Sequence, residues 1–186
     1  MNPFVETLIS IDEFCSFHKI PYSIIGGLAL ISYKIQRTTN DIDITLLLRL
    51  EEMEDVGLKI IERFQPIFSE PIIFFQKNFV LPVLNKNTNM RIDFEAGLSG
   101  FDKQVIERSK RKTFGNCLLP FCSLEDLILY KLFANRPKDA ADLHEISKKY
   151  NNQLDMNYLE ILFNDFAKLE RKDMRDNFIR IFNSKI

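Results

Sequence analysis

The chain has 186 residues, 46% of them hydrophobic and 17 of them phenylalanine, enough for one ordinary domain or a domain with a small appendage and too apolar for intrinsic disorder. Its 25 basic and 26 acidic side chains leave a formal net charge of −1, which argues against a generic DNA-coating protein and still allows a local basic groove. Cys15, Cys117 and Cys122 show no paired spacing, and His18 and His144 start no ligand motif, so neither a disulfide framework nor a histidine-built zinc site is expected and a reducing cytoplasm is the simpler setting.

In chain order, residues 3–19 read as an opening helix, with Pro3 near its start and Phe4, Leu8, Ile11 and Cys15 recurring on one side. The same stretch carries acids early and no long apolar run, so no signal peptide is expected. IPYSIIGG offers a turn and a short strand ending at Gly26–Gly27, followed by a helix from Leu28 to about Ile35. The polar QRTTN breaks that helix before an alternating segment, Asp41 to Leu48, that reads as a strand. Met53, Val56, Ile60, Ile61 and Phe64 give helical spacing over 51–64, with Pro66 stopping the run. PIIFFQ and FVLPVL look like strands, the second demoted to an edge or irregular strand by Pro82. Both are far short of the roughly 20 apolar residues that span a bilayer, so no membrane partner is expected.

NKNTN is a turn, and MRIDFEA is another short strand. The charged KQVIERSKRK reads as a loop beside a brief strand; its ERSKRK run, residues 107–112, is either a contact for RNA phosphates or a solvated surface. Ser123 followed by Glu125 and Asp126 caps a helix through LEDLILYKLFA. Pro137 interrupts it, a further helix begins near Lys138, and segments 154–162 and 174–182 add two more. The layout is an α/β (α+β) core over 1–119, a mixed sheet flanked by helices, and a helical region over 120–186 packed on the core and completing the site.

The residues that carry chemistry are acids on strands. Alternate strand residues share a face, so Asp41 and Asp43 point together while Ile42 and Ile44 turn to the interior. Their Cα atoms lie roughly 6.6 Å apart, close enough for two carboxylates to share a cation, or a pair of cations about 3.5–4 Å apart. Asp93 alternates with Ile92 and Phe94 in RIDFE, so a neighbouring strand can bring a third carboxylate to the same edge. Acidic oxygen ligands favour Mg²⁺, or Mn²⁺, over zinc. Gly26 and Gly27 stand between an apolar strand and a helix, where a phosphate can approach the backbone closely. Lys131 offers an ammonium to a triphosphate and Arg136 a planar fork, while Asp139 and Asp142, three apart on a helix, are placed for one to hold either cation and the other to cap a turn. Arg37 either steadies the acidic cluster or touches phosphate.

Taken together, GGLALISYKIQRTTNDIDI and the later RIDF strand resemble the nucleotidyltransferase superfamily, and more narrowly the AbiEii-like minimal transferases of abortive-infection and toxin–antitoxin systems. The resemblance spans roughly residues 20–145. It implies that Gly26 and Gly27 lie beside a nucleoside triphosphate and that Asp41, Asp43 and Asp93 bind two divalent metals. In LYKLFANRPKDAADL it matches Lys131, Arg136, Lys138, Asp139 and Asp142 to the lysine and the R-x-K-D-x-x-D stretch of the toxin-like group. The chain departs from many superfamily members in carrying Gly27 where they have serine, so no hydroxyl reaches the phosphate there. The implied reaction is transfer of a nucleoside monophosphate from an NTP such as ATP to an acceptor hydroxyl, on tRNA or protein, with release of pyrophosphate, and a cognate antitoxin is an implied partner. Two alternatives stay open: a small-molecule (antibiotic) adenylyltransferase, and a noncatalytic relative that binds nucleotide or antitoxin.

Overall fold

The computed structural model describes residues 2–183. Its contacts divide the chain into two compact units, Met1–Cys122 and Ser123–Ile186.

The first unit is built on a seven-stranded mixed sheet. The strands are β1 (Tyr22–Ile24), β2 (Asp41–Leu47), β3 (Gln65–Pro66), β4 (Val80–Leu84), β5 (Arg91–Gly97), β6 (Lys110–Phe114) and β7 (Cys117–Phe121), in the order β3-β4-β5-β2-β1-β7-β6. β2 runs parallel to β5 and β1 parallel to β7; the remaining neighbours are antiparallel. Ile24, Ile42, Ile44, Ile92, Phe94 and Phe121 are fully buried on one face of the sheet. Helix α1 (Pro3–His18) packs there through Phe14, whose ring lies 6.2 Å from that of Phe94 and 5.7 Å from that of Phe64. Asn2 starts α1 by accepting a hydrogen bond from the Phe4 N–H, and Lys19 ends it in the left-handed region. On the other face, Ser109, just past helix α5 (Gly100–Arg108), donates its hydroxyl to Ser23 Oγ at 2.7 Å.

Three segments differ from their expected form. Helix α2 (Gly26–Ser32) starts at the first glycine, two residues earlier than expected. PIIFFQ is not a strand but the start of helix α4 (Pro71–Asn78), which has Pro71 at its first position and Phe79 in the left-handed region at its end. A short apolar run does not reveal its period; here the fully buried Phe75 settles against helix α3 (Met53–Arg63), where Gly57 leaves room for Ile72 and Phe75. Residues 100–108 are helical because Ser99 and Asp102 form a capping box: Ser99 Oγ accepts from the Asp102 N–H at 3.1 Å and Asp102 Oδ2 from the Ser99 N–H at 3.0 Å. The brief strand beside it is β6.

Pro82 sits within β4 without breaking it. Its carbonyl accepts the Ile67 N–H on the outer side of the strand, so its missing N–H also points outward, away from the ladder with β5.

The second unit contains helices α6 (Leu124–Ala134), α7 (Pro137–Tyr150), α8 (Met156–Lys168) and α9 (Asp173–Phe182). Ser123 caps α6, accepting from the Asp126 N–H at 3.1 Å. Phe163, Phe178 and Phe182 form an aromatic core, with ring centroids 5.3 Å apart for the first pair and 4.3 Å for the second. Among the described residues, no helix is long and apolar enough to cross a membrane.

Candidate active site

Parallel pairing of β2 and β5 sets Asp41 opposite Arg91 and Asp43 opposite Asp93. In-register neighbours share a face, so Asp41, Asp43 and Asp93 all stand on the face opposite the isoleucine core. One carboxylate oxygen from each lies within 4.8 Å of the others, and all three residues are half-buried. Glu95 shares their face one step further along β5, in register with Thr45. At 4.8 Å, two unit negative charges repel by about 1–3.5 kcal/mol for effective dielectric constants between 80 and 20. Three such pairs need positive charge nearby.

Arg91 supplies such a charge. Arg91 donates Nε to Asp93 Oδ1 at 2.9 Å and Nη2 to Asp93 Oδ2 at 3.0 Å, a two-pronged ion pair. The hydrogen bonds to Asp93 raise the arginine's pKa above its ordinary value against the opposing effect of partial burial, and the charges of Asp93, Asp41 and Asp43 add to the rise. Asp41 is oriented by a different partner: Thr39 Oγ1 donates to its Oδ1 at 2.7 Å.

The glycine pair is explained by the same acids. Gly26 has φ +64°, in the left-handed region, and a Cβ there would overlap the Asp43 carboxylate, falling 2.6 Å from Cγ. A Cβ on Gly27 would fall 2.6 Å from Thr39 Oγ1. The first glycine therefore makes room for Asp43 itself, the second for the threonine that orients Asp41. The Ile25 N–H donates to the Asp43 carbonyl at 3.0 Å, tying the turn to the acid-bearing strand. Arg37 lies in the segment between α2 and β2, beside a shallow open cavity of about 550 Å³ also lined by Lys34, Gln36 and Thr38.

Three carboxylates with converging oxygens, and neither histidine nor cysteine among them, are a hard donor set that fits Mg²⁺ or Mn²⁺. Such a cation would relieve the mutual repulsion of the acids.

Within the second unit, Lys131 is 6% exposed and donates to Asp142 Oδ2 at 2.6 Å, with Asp139 Oδ1 3.5 Å away. The two carboxylates hold its ammonium in place. Arg136 donates Nε and its backbone N–H to Asp139 Oδ2 at 2.6 and 3.2 Å, so Asp139 caps α7 while bridging the two cations. Burial pushes the Asp139 pKa up, but the Arg136 hydrogen bonds and the Lys131 charge together hold it below the usual carboxylate value.

Two residues in these networks escaped sequence reasoning, Thr39 and Arg91. Each stands two positions before an acid, and in β5 that spacing puts Arg91 on the same face as Asp93, a signal readable only once the strand is known to pair with β2.

The profile of a family described as "Nucleotidyltransferase of unknown function (DUF6036)" matches residues 6–185. The chain belongs to this nucleotidyltransferase family. Solved structures share its fold at low identity. The antibiotic-resistance factor ANT(2″)-Ia is 12% identical, with a TM-score of 0.52 and 97% of this chain and 92% of the other covered. The lincosamide antibiotic adenylyltransferase LnuA, solved with lincomycin bound, is 15% identical, with a TM-score of 0.50 over 76% of this chain and 94% of its own. An antigenic nucleotidyltransferase-like protein from Paracoccidioides brasiliensis is 13% identical, with a TM-score of 0.50 and 96% of both chains covered. No curated protein matches the sequence significantly. The seven-stranded mixed sheet with flanking helices is thus a nucleotidyltransferase fold.

Proposed function

We propose that this family member transfers a nucleoside monophosphate from an NTP to an acceptor hydroxyl and releases pyrophosphate, with Asp41, Asp43 and Asp93 as the residues that hold divalent cations. The observation that carries the reading is the convergence of three carboxylate oxygens within 4.8 Å on two paired strands. Bound Mg²⁺ or Mn²⁺ would neutralise and orient the triphosphate for in-line displacement.

The acceptor oxygen bonds to the α-phosphorus, and the bond from that phosphorus to the α–β bridging oxygen breaks, so pyrophosphate leaves. Asp93 takes the acceptor's proton, a role suited to a carboxylate on β5 beside the paired acids of β2. Gly26 and Gly27 carry no Cβ where Asp43 and Thr39 pack against the backbone, and the assignment of their N–H groups to phosphate rests on the resemblance. Arg37, in the segment leading into β2, is assigned to phosphate. The assignment of Lys131, Arg136 and Asp139 to the triphosphate rests on the resemblance of LYKLFANRPKDAADL to the toxin-like group, and predicts a raised KM for NTP in Arg136→Ala.

The same AbiEii-like resemblance favours tRNA or a protein as the acceptor and a cognate antitoxin as regulator. A small-molecule acceptor is the second reading, supported by the fold shared with ANT(2″)-Ia and LnuA. The test incubates wild type and Asp93→Ala with each α-labelled NTP, Mg²⁺ or Mn²⁺, and in separate reactions total tRNA, lysate protein, and a panel of aminoglycosides and lincosamides. Label on tRNA or protein with wild type alone supports the leading reading. Label on a drug alone moves the acceptor to the second. No transfer anywhere, or equal transfer by both proteins, rejects the assigned site.

A further inference from the structure

We propose that Arg91 is a resident counter-ion of the acidic cluster, held on Asp93 when no divalent cation is bound and displaced when one enters. This rests on the reading of the three aspartates as a cation site and adds to it a residue that sets how readily the site loads.

The ion pair is asymmetric. The Asp93 side chain is 14% exposed and the Arg91 side chain 50% exposed, so the carboxylate is fixed in the site while the guanidinium has a path to water. Both oxygens of Asp93 accept from the arginine fork, at 2.9 and 3.0 Å. Any cation approaching the oxygen that Asp93 shares with Asp41 and Asp43 therefore comes close to a guanidinium already bonded to the same carboxylate. Register adds to the conflict, because Arg91 itself lies opposite Asp41 across the β2–β5 ladder.

Arg91 cannot leave the cluster's face by rotating about the strand, since alternation commits it to the face of Asp93. It can only swing its exposed end outward. Without a cation, the arginine offsets part of the repulsion among three acids; with one, its charge is redundant and repelled. A divalent ion and a guanidinium about 5 Å apart in water-like dielectric repel enough to lower cation affinity on the order of tenfold.

The test is Mn²⁺ binding to the full chain, followed by the loss of the free-ion electron paramagnetic resonance signal, with thermal melts to verify folding. Arg91→Met is expected to bind Mn²⁺ about tenfold more tightly than wild type. Arg91→Lys keeps the charge and is expected to stay within about threefold of wild type. In an Asp93→Asn background, where the arginine loses its anchor, Arg91→Met is expected to lose most of its effect. Unchanged or weaker Mn²⁺ binding in folded Arg91→Met overturns the proposal and makes the arginine a simple prop for Asp93. If Asp43→Asn binds Mn²⁺ as wild type does, the cation site itself is refuted and this proposal with it. Weakened binding in Asp43→Asn beside no change in Arg91→Met refutes the counter-ion alone.

Discussion

Gly26→Ala separates two reasons for a glycine at the start of α2: room for an incoming phosphate, and room for Asp43. An alanine at φ +64° costs about 1–2 kcal/mol from the left-handed backbone alone. Its Cβ would also overlap the Asp43 carboxylate, so the acid must rotate away from Asp41 and Asp93. For a chain of this size, 1–2 kcal/mol corresponds to a fall in Tm of about 2–8 °C, and loss of one of three ligands is expected to weaken Mn²⁺ binding by about tenfold or more. The assay is a double-mutant cycle with Asp43→Ala, read by Tm and by Mn²⁺ affinity. Removing the carboxylate removes the overlap with Oδ2 and Cγ but not the 2.9 Å approach to the Asp43 Cβ or the strained φ. Gly26→Ala should therefore cost about 1 kcal/mol less in the Asp43→Ala background than in wild type. Strict additivity, or a Gly26→Ala variant with wild-type Tm and Mn²⁺ affinity, refutes the carboxylate explanation.

Other expectations follow from the remaining contacts. Lys131→Met leaves the buried Asp142 and Asp139 short of a cation and should destabilise the protein by about 3–5 kcal/mol in urea unfolding, a loss that Lys131→Met/Asp142→Leu recovers in large part. Asp139 has its folded pKa depressed, so the stability it contributes is present above its unfolded value near 3.9 and disappears as pH falls through the lower folded value; Asp139→Asn should flatten the acid limb of a Tm-versus-pH curve below about pH 4. Thr39→Val removes the hydroxyl that orients Asp41 and should weaken Mn²⁺ binding about tenfold with little change in Tm, since second partners of ligands typically contribute at that level.

Much of the local structure was legible because it depends on neighbours in sequence. Pro3 and Ser123 mark helix starts by backbone chemistry that acts within one turn, and α1 and α6 begin where those residues stand. PIIFFQ misled because so short an apolar run satisfies either period, and packing against Gly57 favours the helix. The 100–108 segment misled for the opposite reason: its charged surface hid a short capping box, S-G-F-D, beneath a composition that reads as loop.

For the candidate site the division is similar. Alternation along a strand is a property of the backbone, so the sequence by itself determined that Asp41 and Asp43 share a face and that Asp93 sits between two core residues. It also determined that a glycine pair precedes them. Only the tertiary structure decided that β2 and β5 are parallel neighbours with Asp43 opposite Asp93, because strand pairing joins residues fifty positions apart through contacts that no local pattern encodes. The same pairing made Arg91 a partner of the cluster and gave each glycine a particular atom to avoid. Spacing along the chain selects a face; register across the sheet selects the neighbours that meet on it.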